Sequence, residues 1–119
     1  MAYRNDNTIQ IKSFEFALKV IRLYMELQKQ HEYIISKQLL RSGTSIGANV
    51  EEAIGAASRK DFAFKCNISL KEARETYYWL RLLKESKLTN INLDIYLLDS
   101  KELINILTAI VKKTRASTN

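Results

Sequence analysis

The chain has 119 residues, of which 46% are hydrophobic and 27% charged, and it carries a formal net charge of +6. This length suits a single domain over residues 1–119 with a real hydrophobic core, and the composition excludes a disordered chain. The positive charge permits partners with acidic surfaces, such as nucleic acids, but carries no information about the fold.

Proline is absent from the sequence, and cysteine occurs once, as Cys66. Because prolines punctuate loops and end helices, their absence favours a chain that is almost entirely helical. A single cysteine forms no internal disulfide, which suits the reducing cytoplasm. No stretch approaches the roughly 18 uninterrupted apolar residues of a membrane span. We therefore expect a cytoplasmic protein without a membrane partner.

The first predicted helix covers about residues 12–30, with Ser13 as its expected N-cap. Its apolar residues form two adjacent groups on the helical wheel, which together span more than half of the circumference. A helix that is apolar over so wide an arc must be covered on more than one side. The groups are Phe14, Ala17, Leu18 and Ile21, and Phe16, Val20, Leu23, Tyr24 and Leu27.

The second predicted helix, about residues 33–56, contains the stretch RSGTSIGANVEEA. This stretch lacks the lysine and the preceding strand of a phosphate-binding P-loop, so we interpret it as helical. On the wheel, an apolar arc borders a polar strip, and Gly43 and Gly47 share a third side. Each glycine costs about 1 kcal/mol relative to alanine in a helix interior. The pair therefore predicts the close approach of another helix.

The polar strip of the second helix borders its apolar arc, so the side chains should find partners inside the protein. The third predicted helix, about residues 59–86, offers a matching polar line. We therefore predict a hydrogen-bonded seam between these two helices in preference to a catalytic or ligand site. Its expected members, with Arg41 paired to a glutamate, are Arg41, Ser42, Ser45, Asn49, Glu52 and Glu72.

The third helix should begin after Ser58, since Asp61 three residues later completes an arrangement like a capping box. It carries two apolar stripes about half a turn apart, whereas a helix of a monomeric four-helix bundle needs one. We expect a neighbouring subunit to cover the second stripe; the alternative is a terminal segment folded back over it. The second stripe consists of Phe64, Ile68, Trp79, Leu82 and Leu83.

The fourth predicted helix covers about residues 93–114 and follows the turn ESKLTNIN. All connections between the four helices are only a few residues long. Consecutive helices should therefore pack as antiparallel neighbours. The sequence predicts an all-α fold, an antiparallel up-down-up-down four-helix bundle.

Residues for catalysis or metal binding are scarce in the sequence. One histidine, His31, and one cysteine exclude the usual zinc sites, and the Glu-x-x-His pairs of di-iron bundles are absent. Periodicity places Cys66 in a core stripe, where a thiol is a poor nucleophile. We therefore expect no enzymatic activity, no metal and no cofactor.

Positive charge is concentrated on one side of the third helix and near the C-terminus. A cationic stripe with an interleaved aromatic residue can contact the phosphates of nucleic acid. Glu85 lies on the same stripe, and the alternative is an ordinary solvated face. The candidate nucleic-acid-binding residues are Lys60, Lys71, Arg74, Tyr78, Arg81, Lys112, Lys113 and Arg115.

The stretches QLLRSGTSIGANVEEA and SRKDFAFKCNISLKEARETYYWLRLL resemble the four-helix-bundle family of 23S rRNA intervening-sequence proteins. The resemblance covers about residues 13–110 and rests on the pattern R-S-x-x-S-I-x-x-N-[IV]-x-E. Where many relatives read N-I-A-E-G, this chain reads NVEEA. The matching residues are Arg41, Ser42, Ser45, Ile46, Asn49, Val50 and Glu52, followed downstream by Phe62 and Glu72.

The same superfamily includes the accessory variability determinant of diversity-generating retroelements. The resemblance implies a bundle that assembles as a ring-like homo-oligomer, a homopentamer with a basic surface. In the retroelement relatives the pentamer works with a reverse transcriptase and binds nucleic acid. The leading hypothesis is therefore a non-enzymatic, oligomeric adaptor for RNA or DNA. The alternative is a protein-interaction scaffold with no direct nucleic-acid role.

Overall fold

The protein folds as a bundle of four α-helices, seen in a computed structural model that describes residues 6–118. Helix α1 spans Asp6–Lys29, α2 spans Ile35–Ile54, α3 spans Arg59–Ser86 and α4 spans Asp94–Thr118. No strand occurs between residues 6 and 118. The fold is all-α, as the sequence predicts.

Helix α1 begins earlier than the sequence pattern indicates. It starts at Asp6, so Ser13 lies within it and not at its end. The buried hydroxyl of Ser13 donates to the carbonyl oxygen of Gln10 at 3.2 Å. A serine inside a helix commonly bonds to a carbonyl of the preceding turn in this way. The prediction that Ser13 is an N-cap is therefore wrong.

Helix α3 begins where the sequence pattern predicts. Ser58 has an extended backbone, and its side-chain oxygen accepts a hydrogen bond from the backbone N–H of Asp61 at 3.0 Å. This bond satisfies one of the amides that have no partner within the helix. The predicted N-cap is confirmed. At the other end of α3, Lys87 adopts a left-handed φ of 59°.

Helix α2 is capped by a residue in the connection from α1. The carboxylate of Glu32 accepts hydrogen bonds from the backbone N–H groups of Ile34, Ile35 and Ser36 at 2.6–3.1 Å. A carboxylate at this position satisfies amides that lack intrahelical partners and interacts favourably with the helix dipole. Glu32 thereby fixes the start of α2 immediately after the turn that leaves α1.

The hydrophobic core runs along the bundle and receives side chains from every helix. Within each helix the buried residues recur at spacings of three and four, which place them on one face. Cys66, expected in a core stripe, is buried in this core. The large core side chains include Ile9, Phe16, Leu23, Leu27, Leu39, Ile46, Leu80, Leu83, Leu103 and Leu107.

Two glycines of α2 lie against α1. A Cβ atom at Gly43 would lie 2.9 Å from both γ-methyl carbons of Val20, and one at Gly47 would lie 3.3 Å from the carbonyl oxygen of Ser13. Both distances are shorter than ordinary van der Waals contacts, so a larger residue would press on α1. The close helix approach predicted from the glycine spacing is confirmed.

The four helices do not contact one another equally. Helix α2 packs extensively against α1 and α3, and α3 against α4, whereas α1 and α4 touch much less. The α1–α4 side is bridged by the ion pairs Lys12–Glu102 at 3.3 Å and Lys19–Asp99 at 2.8 Å. No helix within the described range is long and apolar enough to cross a membrane.

Candidate nucleic-acid interface

One face of α3 carries a line of polar, cationic and aromatic residues. They recur at alternating spacings of four and three, so their side chains leave the same side of the helix. The core residues of α3 occupy a different side of the helix. The line consists of Asn67, Lys71, Arg74, Tyr78 and Arg81.

The first part of this line borders a groove between α3 and α4, which we call the cationic groove. Its volume is about 410 Å³. Four cationic side chains line it, no carboxylate does, and its floor is the apolar pair Leu70 and Val111, which are only 7% and 4% exposed. The lining residues are Asn67, Leu70, Lys71, Arg74, Thr108, Val111, Lys112 and Arg115.

The groove joins two basic clusters that are remote in the sequence. Lys71 and Arg74 come from the middle of α3, and Lys112 and Arg115 come from the last turns of α4. The spacing of three between the two cations of each helix keeps both on one face. The sequence predicts each cluster, but their meeting depends on how α4 is placed along α3.

Three cations of the groove differ in their surroundings from several other cations of the protein. Among the side chains that the structure describes, Lys71, Arg74 and Lys112 form no ion pair. Their charges are therefore not neutralised locally, and a concave surface with charge of one sign attracts anions. The cations that do pair with carboxylates are Lys12, Lys19, Lys29, Arg41, Lys65 and Lys84.

Half of the candidate nucleic-acid-binding residues lie outside the groove lining. Tyr78 and Arg81 are exposed farther along the same face of α3. Lys60 is exposed in the first turn of α3, and Lys113 is exposed on α4, about 100° around the helix from its neighbour in the groove. The candidates that the structure brings together are Lys71, Arg74, Lys112 and Arg115.

The sequence pattern placed Asn67 beside the cations of α3 but did not indicate that Leu70 and Thr108 line the same groove. Leu70 is a core residue of α3, yet it also forms the groove floor. Thr108 lies four residues before Lys112 and therefore on the same side of α4. That spacing was the signal that could have identified Thr108.

The polar seam between α2 and α3 has an outer, charged layer. Arg41 of α2 forms ion pairs with Glu72, at 3.2 Å, and with Glu75. The Glu75 carboxylate also accepts a hydrogen bond from the indole N–H of Trp79 at 2.9 Å. Burial raises the pKa of Glu75, but the hydrogen bonds from Trp79 and Arg41, with the charge of Arg41, hold that pKa below its ordinary value.

The seam continues as a buried layer of hydroxyl groups. Thr76 of α3 is hydrogen-bonded to Ser42 of α2, with 2.8 Å between the two side-chain oxygens. Ser69 of α3 donates to the carbonyl oxygen of Ile46 at 2.8 Å. These contacts satisfy polar groups that water does not reach.

Three other expected members of the seam have different partners. Ser45 donates to the carbonyl oxygen of Arg41 at 2.6 Å, and Asn49 donates to that of Ser45 at 2.8 Å. Both bonds lie within α2, because serine and asparagine in a helix can reach a carbonyl one turn earlier. The half-exposed side chain of Glu52 does cross to α3, where it pairs with Lys65 at 2.7 Å.

The second apolar stripe expected on α3 is mostly not at the surface. Leu83 is fully buried because it continues the core spacing of α3, so the prediction that it faces another subunit is wrong. Ile68, Trp79 and Leu82 are half-buried. Phe64 remains exposed, at 60%.

An exposed apolar stripe is present on α1 instead. Its five members alternate at spacings of three and four and are between 38% and 62% exposed. On the helical wheel they lie opposite the buried face that contains Phe16 and Val20. The sequence indicates that α1 is apolar on more than one side, but not which side stays open. This outer α1 stripe consists of Ile11, Phe14, Leu18, Ile21 and Met25.

The side chains suited to metal binding or nucleophilic chemistry are dispersed. His31 lies exposed just after α1, with its Nδ1 atom 2.8 Å from the hydroxyl of Tyr33. Cys66 is buried in the core. In the part of the chain that the structure describes, no group of three or more histidine, cysteine, aspartate or glutamate residues could hold a metal ion.

The chain is similar to one known family and to a solved structure. The family model described as 23S rRNA-intervening sequence protein matches residues 5–109. A protein from the S23 ribosomal protein family of Bacteroides thetaiotaomicron, described as having unknown function, has a crystal structure at 1.70 Å resolution. It is 48% identical to this chain, with a TM-score of 0.84, over 91% of this chain and 98% of the other. No curated protein matches the chain.

Proposed function

Because the chain belongs to the 23S rRNA-intervening sequence protein family, we propose that it is a non-enzymatic, oligomeric adaptor that binds RNA or DNA in the cytoplasm. The proposed contact with nucleic acid is the cationic groove. The observation that carries this proposal is the convergence of four cations, from two helices, on one concave surface without a carboxylate.

The chemistry of the groove suits the binding of phosphate groups. Lysine and arginine side chains donate hydrogen bonds to phosphate oxygens, and each contact releases counterions that were condensed on the nucleic acid. Asn67 and Thr108 add neutral polar groups to the same lining. The lining residues are cationic, neutral polar or apolar, so no carboxylate among them competes with a phosphate for the cations.

The proposal includes an antiparallel up-down-up-down order of the helices. Gln10, near the start of α1, bonds to Glu51 near the end of α2 at 3.1 Å. Gln28, near the end of α1, bonds to Ser36 at the start of α2 at 2.8 Å. Short connections between helices favour the same order in the rest of the bundle.

The proposal also includes self-association through the outer α1 stripe. Apolar residues at alternating spacings of three and four form the seam of helix–helix contacts, and a monomer gains nothing by exposing them. The exposed Glu15 and Arg22 flank one edge of the stripe with opposite charges, so a second copy of the chain can offer a complementary charge to each. The number of subunits, five, rests on the resemblance.

An oligomer would display several cationic grooves at once. Once one groove holds a nucleic acid, a neighbouring groove meets the same molecule at a high effective concentration. Weak contacts in single grooves can therefore add up to useful affinity. This is the physical reason for combining self-association and nucleic-acid binding in one adaptor.

The proposal is tested by titrating the protein against a structured RNA and a duplex DNA at several salt concentrations, with fluorescence anisotropy as the readout. We expect binding at low salt whose affinity falls linearly with salt on logarithmic axes. Absence of binding at low salt, or binding that does not depend on salt, would contradict the proposal.

A protein-interaction scaffold is the alternative function, and the exposed outer α1 stripe favours it if the chain proves monomeric. A partner protein would then cover the stripe. A reverse transcriptase, the partner implied by the resemblance, can be tested directly by co-purification after nuclease treatment. Recovery of that protein with a monomeric chain that binds no nucleic acid would favour the scaffold.

A further inference from the structure

We propose that the cationic groove accepts an unpaired nucleotide, so that the protein prefers single-stranded nucleic acid to duplex. This inference rests on the proposed function and narrows its ligand. It follows from three features: the volume of the groove, the apolar floor beneath its cations, and the exposed Tyr78 farther along the same face of α3.

The volume of the groove, about 410 Å³, lies near the lower end of the range of small-ligand pockets. A nucleotide-sized group can enter such a groove. A duplex presents a convex surface of phosphates, with its bases paired and stacked inside. It could place phosphate oxygens at the rim but could not place a base in the groove.

The floor of the groove, made of core residues, can contribute to ligand binding only if more than a phosphate enters. Leu70 and Val111 form an apolar surface between the cations of α3 and α4. A phosphate gains nothing from contact with an apolar surface, whereas the face of an unpaired base does. The side chain of Asn67 makes no hydrogen bond within the described residues, so its amide can donate to, and accept from, the edge of a base.

Tyr78 lies outside the groove lining, farther along the same face of α3. It lies four residues after Arg74 on the same face of the helix, a rise of about 6 Å. The residue is 51% exposed, and its ring contacts that of Trp79 edge-to-face, with 5.2 Å between the ring centroids. The contact supports the ring and leaves an aromatic surface open beside the cations. Cationic grooves with such aromatic platforms are typical of proteins that bind single strands.

The neighbouring aromatic residues differ from Tyr78 in their exposure. Tyr77 is half-buried, and its ring is covered by the ammonium group of Lys101, 5.2 Å from the centroid. Trp79 is half-buried against the core and its indole N–H is bound to Glu75. Tyr78 is therefore the ring of this segment that we assign to base stacking.

The experiment compares a 12-nucleotide single strand with the duplex of the same sequence, as RNA and as DNA, at one low salt concentration. The proteins are the wild type, Tyr78→Phe, which keeps the ring, and Tyr78→Ala, which removes it. We expect the wild type to bind the single strand at least about tenfold more tightly than the duplex. Tyr78→Ala should weaken single-strand binding roughly five- to hundredfold relative to the wild type. Tyr78→Phe should bind the single strand about as tightly as the wild type does, because it keeps the ring.

A competition experiment with the Tyr78→Ala variant tests the groove floor independently of Tyr78. A nucleoside monophosphate should displace the single strand at lower concentration than inorganic phosphate does. Equal competition by the two, or equal binding of single strand and duplex, overturns the inference while salt-dependent binding leaves the proposed function standing. If neither nucleic acid binds at any salt concentration, the proposed function itself fails.

Discussion

Thr76 of α3 and Ser42 of α2 are hydrogen-bonded across the centre of the helix seam, with 2.8 Å between their side-chain oxygens and both side chains fully buried. Thr76 is also within 2.8 Å of the carbonyl oxygen of Glu72 in its own helix. The Ser42 hydroxyl lies 3.5 Å from the carbonyl oxygen of Leu39, at the limit of hydrogen bonding. Ser42 therefore depends on Thr76 for its main partner.

The substitution Thr76→Val should destabilise the protein by about 1–3 kcal/mol, because it leaves the buried hydroxyl of Ser42 without its main partner. Urea unfolding at one fixed protein concentration measures the effect. Replacing both residues, as Ser42→Ala with Thr76→Val, should cost less than the sum of the single changes. Additive losses in this double-mutant cycle would show that the two hydroxyls are not coupled.

The substitution Gly43→Ala should destabilise the protein by about 1 kcal/mol. The new methyl group would lie 2.9 Å from the γ-methyl carbons of Val20, and this overpacking outweighs the gain in helix propensity. Gly55→Ala is the control, since the nearest atom to its Cβ would be 3.8 Å away. It should change the unfolding free energy by less than about 0.5 kcal/mol. Stabilisation by Gly43→Ala would contradict the close packing of α1 and α2.

The substitution Phe14→Lys should dissociate the proposed oligomer, because it places a charge in the middle of an apolar contact. Phe64→Lys is a matched control on α3, since the two phenylalanines are 62% and 60% exposed. Light scattering should find the 13.8 kDa monomer for Phe14→Lys and the oligomer for both the wild type and Phe64→Lys. A monomeric wild type would refute self-association, and dissociation by Phe64→Lys alone would place the contact on α3.

The fluorescence of Trp79, the only tryptophan, should report the titration of Glu75. The pKa of Glu75 is lower in the folded protein than in the unfolded chain. The ionised carboxylate therefore stabilises the fold at pH values above the pKa of the unfolded chain, and this stabilisation is lost as the pH falls through the pKa of the folded protein. The transition should therefore have its midpoint below the ordinary range of a glutamate. Arg41→Ala should raise the midpoint, and Glu75→Gln should abolish the transition. A midpoint at or above the ordinary range would contradict the lowered pKa.

Much of the fold could be predicted from local sequence patterns. The four helices follow from apolar spacing, and the start of α3 follows from Ser58 and Asp61 because an N-cap is a local interaction. The packing role of Gly43 and Gly47 was readable because two glycines on one helical face need a compensating contact. The early start of α1 was missed because a serine such as Ser13 can bond within a helix as well as cap it.

The candidate site was predicted only in pieces. Lys71 and Arg74 are one cluster in the sequence and Lys112 and Arg115 another, and spacing within a helix places each pair correctly. Their meeting depends on the placement of α4 along α3, which is a tertiary property. The same limit explains why Leu83 was assigned to the wrong stripe. A helical wheel with two apolar stripes does not show which residues between the stripes are buried in the core.

The central claim, that the cationic groove binds nucleic acid, is tested most directly by the salt dependence of a groove variant. Lys71→Gln with Arg74→Gln removes two positive charges from the groove, and Lys37→Gln with Lys87→Gln removes two from exposed positions elsewhere. For a single strand, the groove variant should reduce the logarithmic salt slope by about 1.4 and weaken binding roughly 25-fold at 0.1 M salt. The control variant should retain the slope of the wild type. Equal slopes for the groove variant and the wild type would contradict the claim.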